Sequence, residues 1–183
     1  MKQAVMFFAE GFEEVEALMT VDLLRRGGVE VQLASITQEM TVCGSHGIRV
    51  GMDTTLDELE TDQMDAVLIP GGMPGTKNLA ADEEVCRILK EADRAGKIVG
   101  AICAAPSVLG KCGILDGKRA TCYPGFEEQL GDACFVDEMV VADGNVVTSR
   151  GLGTSMEFGF QLLTLLVSRE KAEEVRKSVV FMY

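Results

Sequence analysis

Tryptophan is absent from these 183 residues, histidine occurs once and proline four times. A lone histidine offers little to a zinc site, and none of the six cysteines (43, 86, 103, 112, 122 and 134) forms a C-x-x-C pair. No structural metal is expected. Basic residues are also scarce: 17 Lys and Arg stand against 29 Asp and Glu, a formal charge of -12. Such a surface repels phosphate backbones and anionic membranes, so neither nucleic acid nor a membrane is the expected partner, and the charge serves solubility. Long hydrophobic runs are missing too. The run from Ala4 to Ala9 is too short to span a bilayer, is stopped by Glu10, and does not resemble a signal peptide. The expected compartment is the reducing cytoplasm, where all six cysteines would be free thiols.

What is present is enough apolar material, 47% of the chain, for one well-filled domain over 1-183. Residues 3–9 read as a strand covered on both faces. A helix follows over 13–27, with acids in its first turn, Arg25 and Arg26 in its last, and Gly27-Gly28 to stop it. The pattern predicts strands at 29–36, 66–69 and 97–102, and a hairpin around 39–52 turning at Gly44 and Gly47. Helices are expected over 82–95 and 105–112. Short strands follow near 119–122, 134–141 and 145–149, the last two joined by Asp143-Gly144-Asn145. Helices near 154–168 and 170–178 close the chain. This alternation is that of an α/β domain, a mainly parallel sheet with helices on both faces.

In such sheets ligands bind beyond the carboxyl ends of the strands. Four unusual segments leave buried strands there: Glu10 to Glu16, Pro70-Gly71-Gly72, Cys103-Ala104-Ala105-Pro106, and Ser149 to Thr154. Cys103 stands out among them. An apolar strand precedes it, and small residues and a helix-compatible proline follow, as in a nucleophile elbow. A thiol facing a helix N-terminus is expected to ionise below its reference pKa of about 8.5. The other five cysteines read as small buried core residues. Glu16 shares a helix face with Met19, Thr20 and Leu23, so it points toward the covered side, where a carboxyl stays protonated more readily. There it could exchange a proton with a thiolate; equally, it could be a first-turn acid that complements the helix dipole, the reading that suffices for Glu13 and Glu14. His46 reaches Cys103 only if the hairpin carries it there. Gly151-Leu152-Gly153 lacks the third glycine of a dinucleotide fingerprint, and the loop 71–78 lacks phosphate-loop spacing, so no nucleotide cofactor is indicated.

At these residues the sequence resembles the DJ-1/ThiJ/PfpI superfamily, and its DJ-1 branch in particular. The resemblance runs along the whole chain. It rests on Gly11-Phe12-Glu13-Glu14-Val15-Glu16, Leu68-Ile69-Pro70-Gly71-Gly72, Ala101-Ile102-Cys103-Ala104-Ala105-Pro106 and Thr148-Ser149-Arg150-Gly151-Leu152-Gly153-Thr154. It implies a flavodoxin-like three-layer sandwich and a homodimer. Cys103 would be the oxidisable nucleophile, Glu16 its acid partner, and the backbone amides of Gly72 and Ala104 the oxyanion-type donors. The residue after Cys103 is Ala104, so the adjacent Cys-His dyad of the protease-like branch is missing and peptidase activity is not expected. Tyr123 stands where the branch's type member has a histidine. Relatives pair through the first helix and the hairpin after the second strand, which would bring Arg26 and His46 toward the pocket rim, at least one of them from the neighbouring subunit.

The leading functional expectation is a cofactor-free, cysteine-dependent enzyme acting on small reactive carbonyls, glyoxalase III-like or deglycase-like, in carbonyl or oxidative stress. The alternative is a redox-sensing, chaperone-like stress protein in which Cys103 is oxidised to a sulfinate held by Glu16. Both use the same two side chains, so the sequence leaves both open.

Overall fold

The computed structural model describes residues 1–182. Its first strand, β1 (Gln3–Phe8), shows why the sheet must be covered twice. Val5 and Phe7 enter one apolar core, while Ala4, Met6 and Phe8 enter another. Side chains alternate across a strand, so a strand with no polar side is stable only between two packed layers. Each fully buried Phe or Met contributes roughly 2–3 kcal/mol to holding it there.

The chain continues through α1 (Glu14–Arg26), β2 (Glu30–Ser35), the hairpin β3 (Thr41–Cys43) and β4 (Arg49–Gly51), then β5 (Thr54–Thr55) and β6 (Ala66–Ile69). After α2 (Gly75–Ala81) and α3 (Glu83–Arg94) come β7 (Ile98–Ile102), α4 (Pro106–Lys111), β8 (Arg119–Ala120) and β9 (Cys134–Phe135). The last elements are β10 (Val140–Asp143), β11 (Val146–Ser149), α5 (Ser155–Leu166) and α6 (Arg169–Ser178). Seven strands form the central sheet in the order β10-β11-β7-β6-β1-β2-β5, and every pair is parallel except β10 with β11. Helices α1, α5 and α6 pack on one face, and α2, α3 and α4 on the other. The chain runs from β1 outward to β2 and later returns to β6 on the opposite side of β1. That reversal opens a crevice at the carboxyl ends of β1 and β6.

The expected three-layer α/β sandwich is therefore present, with four local differences. The segment after β6 was expected to be loop, yet it carries α2. Pro74 and Gly75 are poor helix formers, and the helix exists because Leu79 and Thr76 are buried against the core. The strand expected over 134–141 breaks in two, because residues 136–139 lie outside any ladder. Cys134 is exposed and Cys43 half-buried, so they are not core cysteines. Most notably, Cys86 on α3 and Cys112 at the end of α4 form a disulfide, with Cα atoms 6.2 Å apart. Free thiols were expected at all six positions. Sequence spacing could not show that the two helices lie side by side. No described helix is long and apolar enough to cross a membrane.

Candidate functional site

Cys103 follows β7 directly and has φ 66°, the left-handed region that non-glycine residues rarely occupy. Three backbone bonds hold it there: its N–H donates to the Ser149 carbonyl (2.9 Å), its carbonyl accepts from Tyr123 (2.8 Å), and Ala105 N–H bonds back to Ile102 (3.1 Å). The turn therefore exposes one side chain between the strand and α4, as the small residues Ala104 and Ala105 suggested.

Glu16 meets it from α1. The helix starts at the N-cap Glu13, whose carboxylate accepts from Glu16 N–H at 2.7 Å. Glu16 is only 1% exposed, and its carboxyl is hydrogen-bonded to the Cys103 thiol. Gly71 N–H donates to its Oε2 at 3.0 Å, and Leu152 N–H also bonds to it. The side chain thus lies inward, and the simple helix-dipole role does not describe it. Burial, strengthened by the charge of Glu13, raises its carboxyl to about 7 against the bonds from Cys103, Gly71 and Leu152.

The thiol behaves differently from the expectation. Burial, then the charge and hydrogen bond of Glu16, push Cys103 up to about 12, outweighing the amides of Ala104 and Gly72 that favour the thiolate. A thiolate stabilised below the ordinary range by a helix end is thus the wrong picture. Two acids in contact give up their first proton far more easily than their second. Below about 7 both groups keep their protons, and above it the pair holds one, on the sulfur beside the carboxylate.

The remaining contacts define the rim. Gly72 has φ 92°, and a Cβ there would sit 2.3 Å from Glu13 N, so only glycine carries its N–H toward Cys103. Tyr123, half-exposed, lies over Gly151, whose Cα faces both the tyrosine ring and Glu16 Oε1. Arg150 is ion-paired with Asp137. Ser149 Oγ bonds Thr154 Oγ1 (2.7 Å) and the Met139 carbonyl (2.9 Å), fixing the loop that supplies Leu152.

Arg26 and His46 are placed elsewhere within the chain. Arg26 is ion-paired with Asp22 at the far end of α1 (2.6 Å). His46 Nδ1 lies 2.9 Å from Glu14 Oε2, and Glu14 also accepts His46 N–H at 2.7 Å. Glu14 is a buried anchor for the 44–48 turn, not a surface acid serving the helix dipole. Burial opposes its ionisation, but His46 and the backbone amides hold it down at about 2. Among the described residues, Glu13, Glu14 and His46 form the one group whose donor atoms could hold a metal ion, all within 4.8 Å of one another. Glu14 and His46 already bond to each other, and Glu13 Oε2 accepts the Glu16 amide.

Gly71 and Leu152 were not singled out as site residues from the sequence. Both lie in loops whose glycines signalled close backbone approach, but which amide would turn toward Glu16 depends on tertiary placement.

Comparison with known proteins identifies the family. The model of the DJ-1/PfpI family matches residues 2–165. Protein DJ-1 homolog B of Arabidopsis thaliana is 40% identical over 181 residues, 98% of this chain and 41% of that protein, so the chain spans about two-fifths of its length. The glutathione-independent glyoxalase DJR-1.2 of Caenorhabditis elegans is 35% identical over 170 residues, covering 92% of this chain and 90% of that one. The crystal structure of Drosophila melanogaster DJ-1beta superposes with a TM-score of 0.95 at 37% identity, over 100% of this chain and 99% of that one. The chain belongs to the DJ-1/PfpI family.

Proposed function

We propose that this protein is a cofactor-free enzyme that converts small dicarbonyls such as methylglyoxal to hydroxy acids, with Cys103 as nucleophile and Glu16 as proton carrier. The observation that carries the reading is a strained, partly accessible thiol hydrogen-bonded to a buried carboxyl. Glyoxalase activity in the similar Caenorhabditis elegans protein supports it.

The Cys103 sulfur adds to the aldehyde carbon, and the oxygen formed at the attacked carbon accepts from the amides of Gly72 and Ala104. The thiol proton passes by way of the Glu16 carboxylate to the substrate and ends on the hydroxyl of the product. Glu16 as carboxylate removes the proton from the former aldehyde carbon and returns it to the neighbouring carbon. The result is a thioester of the hydroxy acid. Water then cleaves the carbon–sulfur bond, releasing the acid and restoring the thiol. Nothing is oxidised or reduced overall, so no cofactor is needed. Release of carbonyl adducts from glycated thiols or amines would use the same addition step in reverse.

Dimerisation through α1 and the β3–β4 hairpin belongs to this proposal. Val15 and Ile48 are exposed apolar residues on those two elements, 38% and 53% accessible. In that arrangement Arg26 and His46 would stand near the rim of the partner's site. A cytoplasmic location accords with a task in carbonyl defence.

The test is lactate formation from methylglyoxal by wild type and by Cys103→Ser. The expected result is turnover that the substitution removes. An inert wild type whose Cys103 peptide gains two oxygen atoms with peroxide would instead favour the sensor reading, in which Glu16 donates to a sulfinate. Activity as a holdase that survives Cys103→Ser would set both aside.

A further inference from the structure

The Cys86–Cys112 disulfide lies on the face of the sheet that carries α3 and α4, and the mechanism above does not use it. A groove of about 470 Å³ opens beside it, lined by Asp82, Glu83, Cys86, Arg87, Lys90 and Lys111 among others. Cys86 is half-buried at the groove, whereas Cys112 is only 7% exposed. The two sulfurs are therefore unequally accessible, and an incoming nucleophile meets Cys86 first.

The charges around the bond are also unequal. Asp82 uses its carboxylate to cap α3, accepting from the Glu84 and Val85 amides. Arg87 is tied to Glu84 and Glu91. Lys111, next to Cys112 in the chain, donates to the neutral carbonyl of Ala80 (2.5 Å) and has no ion-pair partner among the described residues. Lys90 follows Cys86 by one helical turn and so shares its face of α3, and it has no ion-pair partner among the described residues. Asp82 and Glu83 keep two carboxylate charges in the groove against these two ammonium groups. On a chain of charge -12 the groove does not carry a net positive charge, but its two ammonium groups stand beside a sulfur–sulfur bond.

We propose that Cys86 and Cys112 form a reversible redox site, separate from Cys103, that exchanges with a small anionic thiol bound in this groove. In the reducing direction the thiolate attacks Cys86 Sγ, forming a mixed disulfide and expelling the Cys112 thiolate. A second thiol attacks the mixed disulfide, leaving Cys86 reduced and releasing the small disulfide. In the oxidising direction the Cys86 thiolate takes one half of the small disulfide, and Cys112 then displaces it. Each direction moves two electrons and consumes or yields two thiols. Lys90 and Lys111 attract the anion and stabilise the departing thiolate. Closing the bond fastens the far end of α4, the helix that begins just after Cys103, to α3.

The experiment uses the full chain, reduced and freed of reductant, then exposed to glutathione disulfide and blocked in denaturant with iodoacetamide. Peptide mapping should show Cys86 joined to Cys112 while Cys43, Cys122 and Cys134 are not joined to either. Reduced glutathione should reopen the bond in the folded protein. The double variant Lys90→Gln/Lys111→Gln should react with glutathione at least ~3-fold more slowly at low salt, with little change toward neutral 2-mercaptoethanol. Cys86 and Cys112 remaining unjoined would overturn the site. A bond that glutathione cannot open without unfolding would make it a fixed staple, and equal slowing with both thiols would remove the anion preference.

Discussion

Gly71 and Cys103 approach so closely that no carbon atom fits between them: a Cβ on Gly71 would stand 2.6 Å from the Cβ of Cys103 and equally close to Glu16 Oε2. Its N–H is also a donor to that carboxylate. Gly71→Ala must therefore displace the Cys103–Glu16 pair or the loop. Turnover should fall ~100-fold, as for other misplacements of about 1 Å, and stability by about 2 kcal/mol, as in overpacked cores. Steady-state kinetics and urea unfolding check both. A variant with wild-type turnover would show that the pair tolerates displacement.

Replacing Glu16 separates proton transfer from hydrogen bonding. Glu16→Gln keeps a neutral donor of the same shape but cannot carry a proton, so methylglyoxal turnover should drop ~100-fold or more. Burial, the largest cause of the raised Cys103 thiol, stays in Glu16→Gln, but the charge and hydrogen bond of the carboxylate are removed, so the thiol should ionise below about 12; thiolate absorbance measures this. Stability changes as well. The folded protein keeps the Glu16 proton up to about 7, whereas the free carboxyl loses it near 4.5. Between those values the folded state holds more protons than the unfolded state, so wild-type stability relative to Glu16→Gln should decline as pH rises. A flat difference across that window would deny the raised carboxyl.

Much of this layout could be read in the residues, and the limits are instructive. The alternation of β1, α1 and β2 is visible because each has a distinct hydrophobic period and glycine punctuation. Cys103 stands out because a strand, a polar nucleophile and three small or rigid residues rarely follow one another. The signals fail where the answer depends on neighbours distant in the chain. Helix α2 has weak intrinsic propensity and forms through burial of Leu79. The shift of the Cys103 thiol came out with the wrong sign, because helix ends are visible in sequence whereas burial against Glu16 is not. Cys86 and Cys112 carry no local mark of pairing, since only the packing of α3 on α4 brings them together.

Glu14 offers an independent check on the hairpin. Its carboxylate accepts the His46 and Ile48 amides and contacts the His46 ring and Ser45 hydroxyl. Glu14→Ala would remove the charged acceptor that these donors share on an exposed turn, and should lower stability by about 2 kcal/mol in denaturant titrations. The folded carboxyl titrates at about 2 rather than 4.5, so its contribution is complete above 4.5 and disappears as pH falls through 2. Loss of less than about 1 kcal/mol at neutral pH would mean that the turn holds without it.

Light scattering at micromolar concentration should give the mass of a dimer. Ile48→Glu, which puts a charge on the exposed apolar tip of the hairpin region, should shift it toward monomer. A wild-type monomer would exclude any site shared between subunits.

The left-handed backbone at Cys103 has a consequence for how fitness is divided. A side chain held at φ 66° stores about 1–2 kcal/mol that glycine would not. Cys103→Gly should therefore melt higher than wild type while losing all thiol chemistry, and Cys103→Ala, which keeps the Cβ, should gain less. Selection for thermal robustness alone would remove the nucleophile. On the proposed mechanism that strain is the cost of presenting a thiol at the sheet edge, and the two packed cores supply the reserve that makes the compromise tolerable.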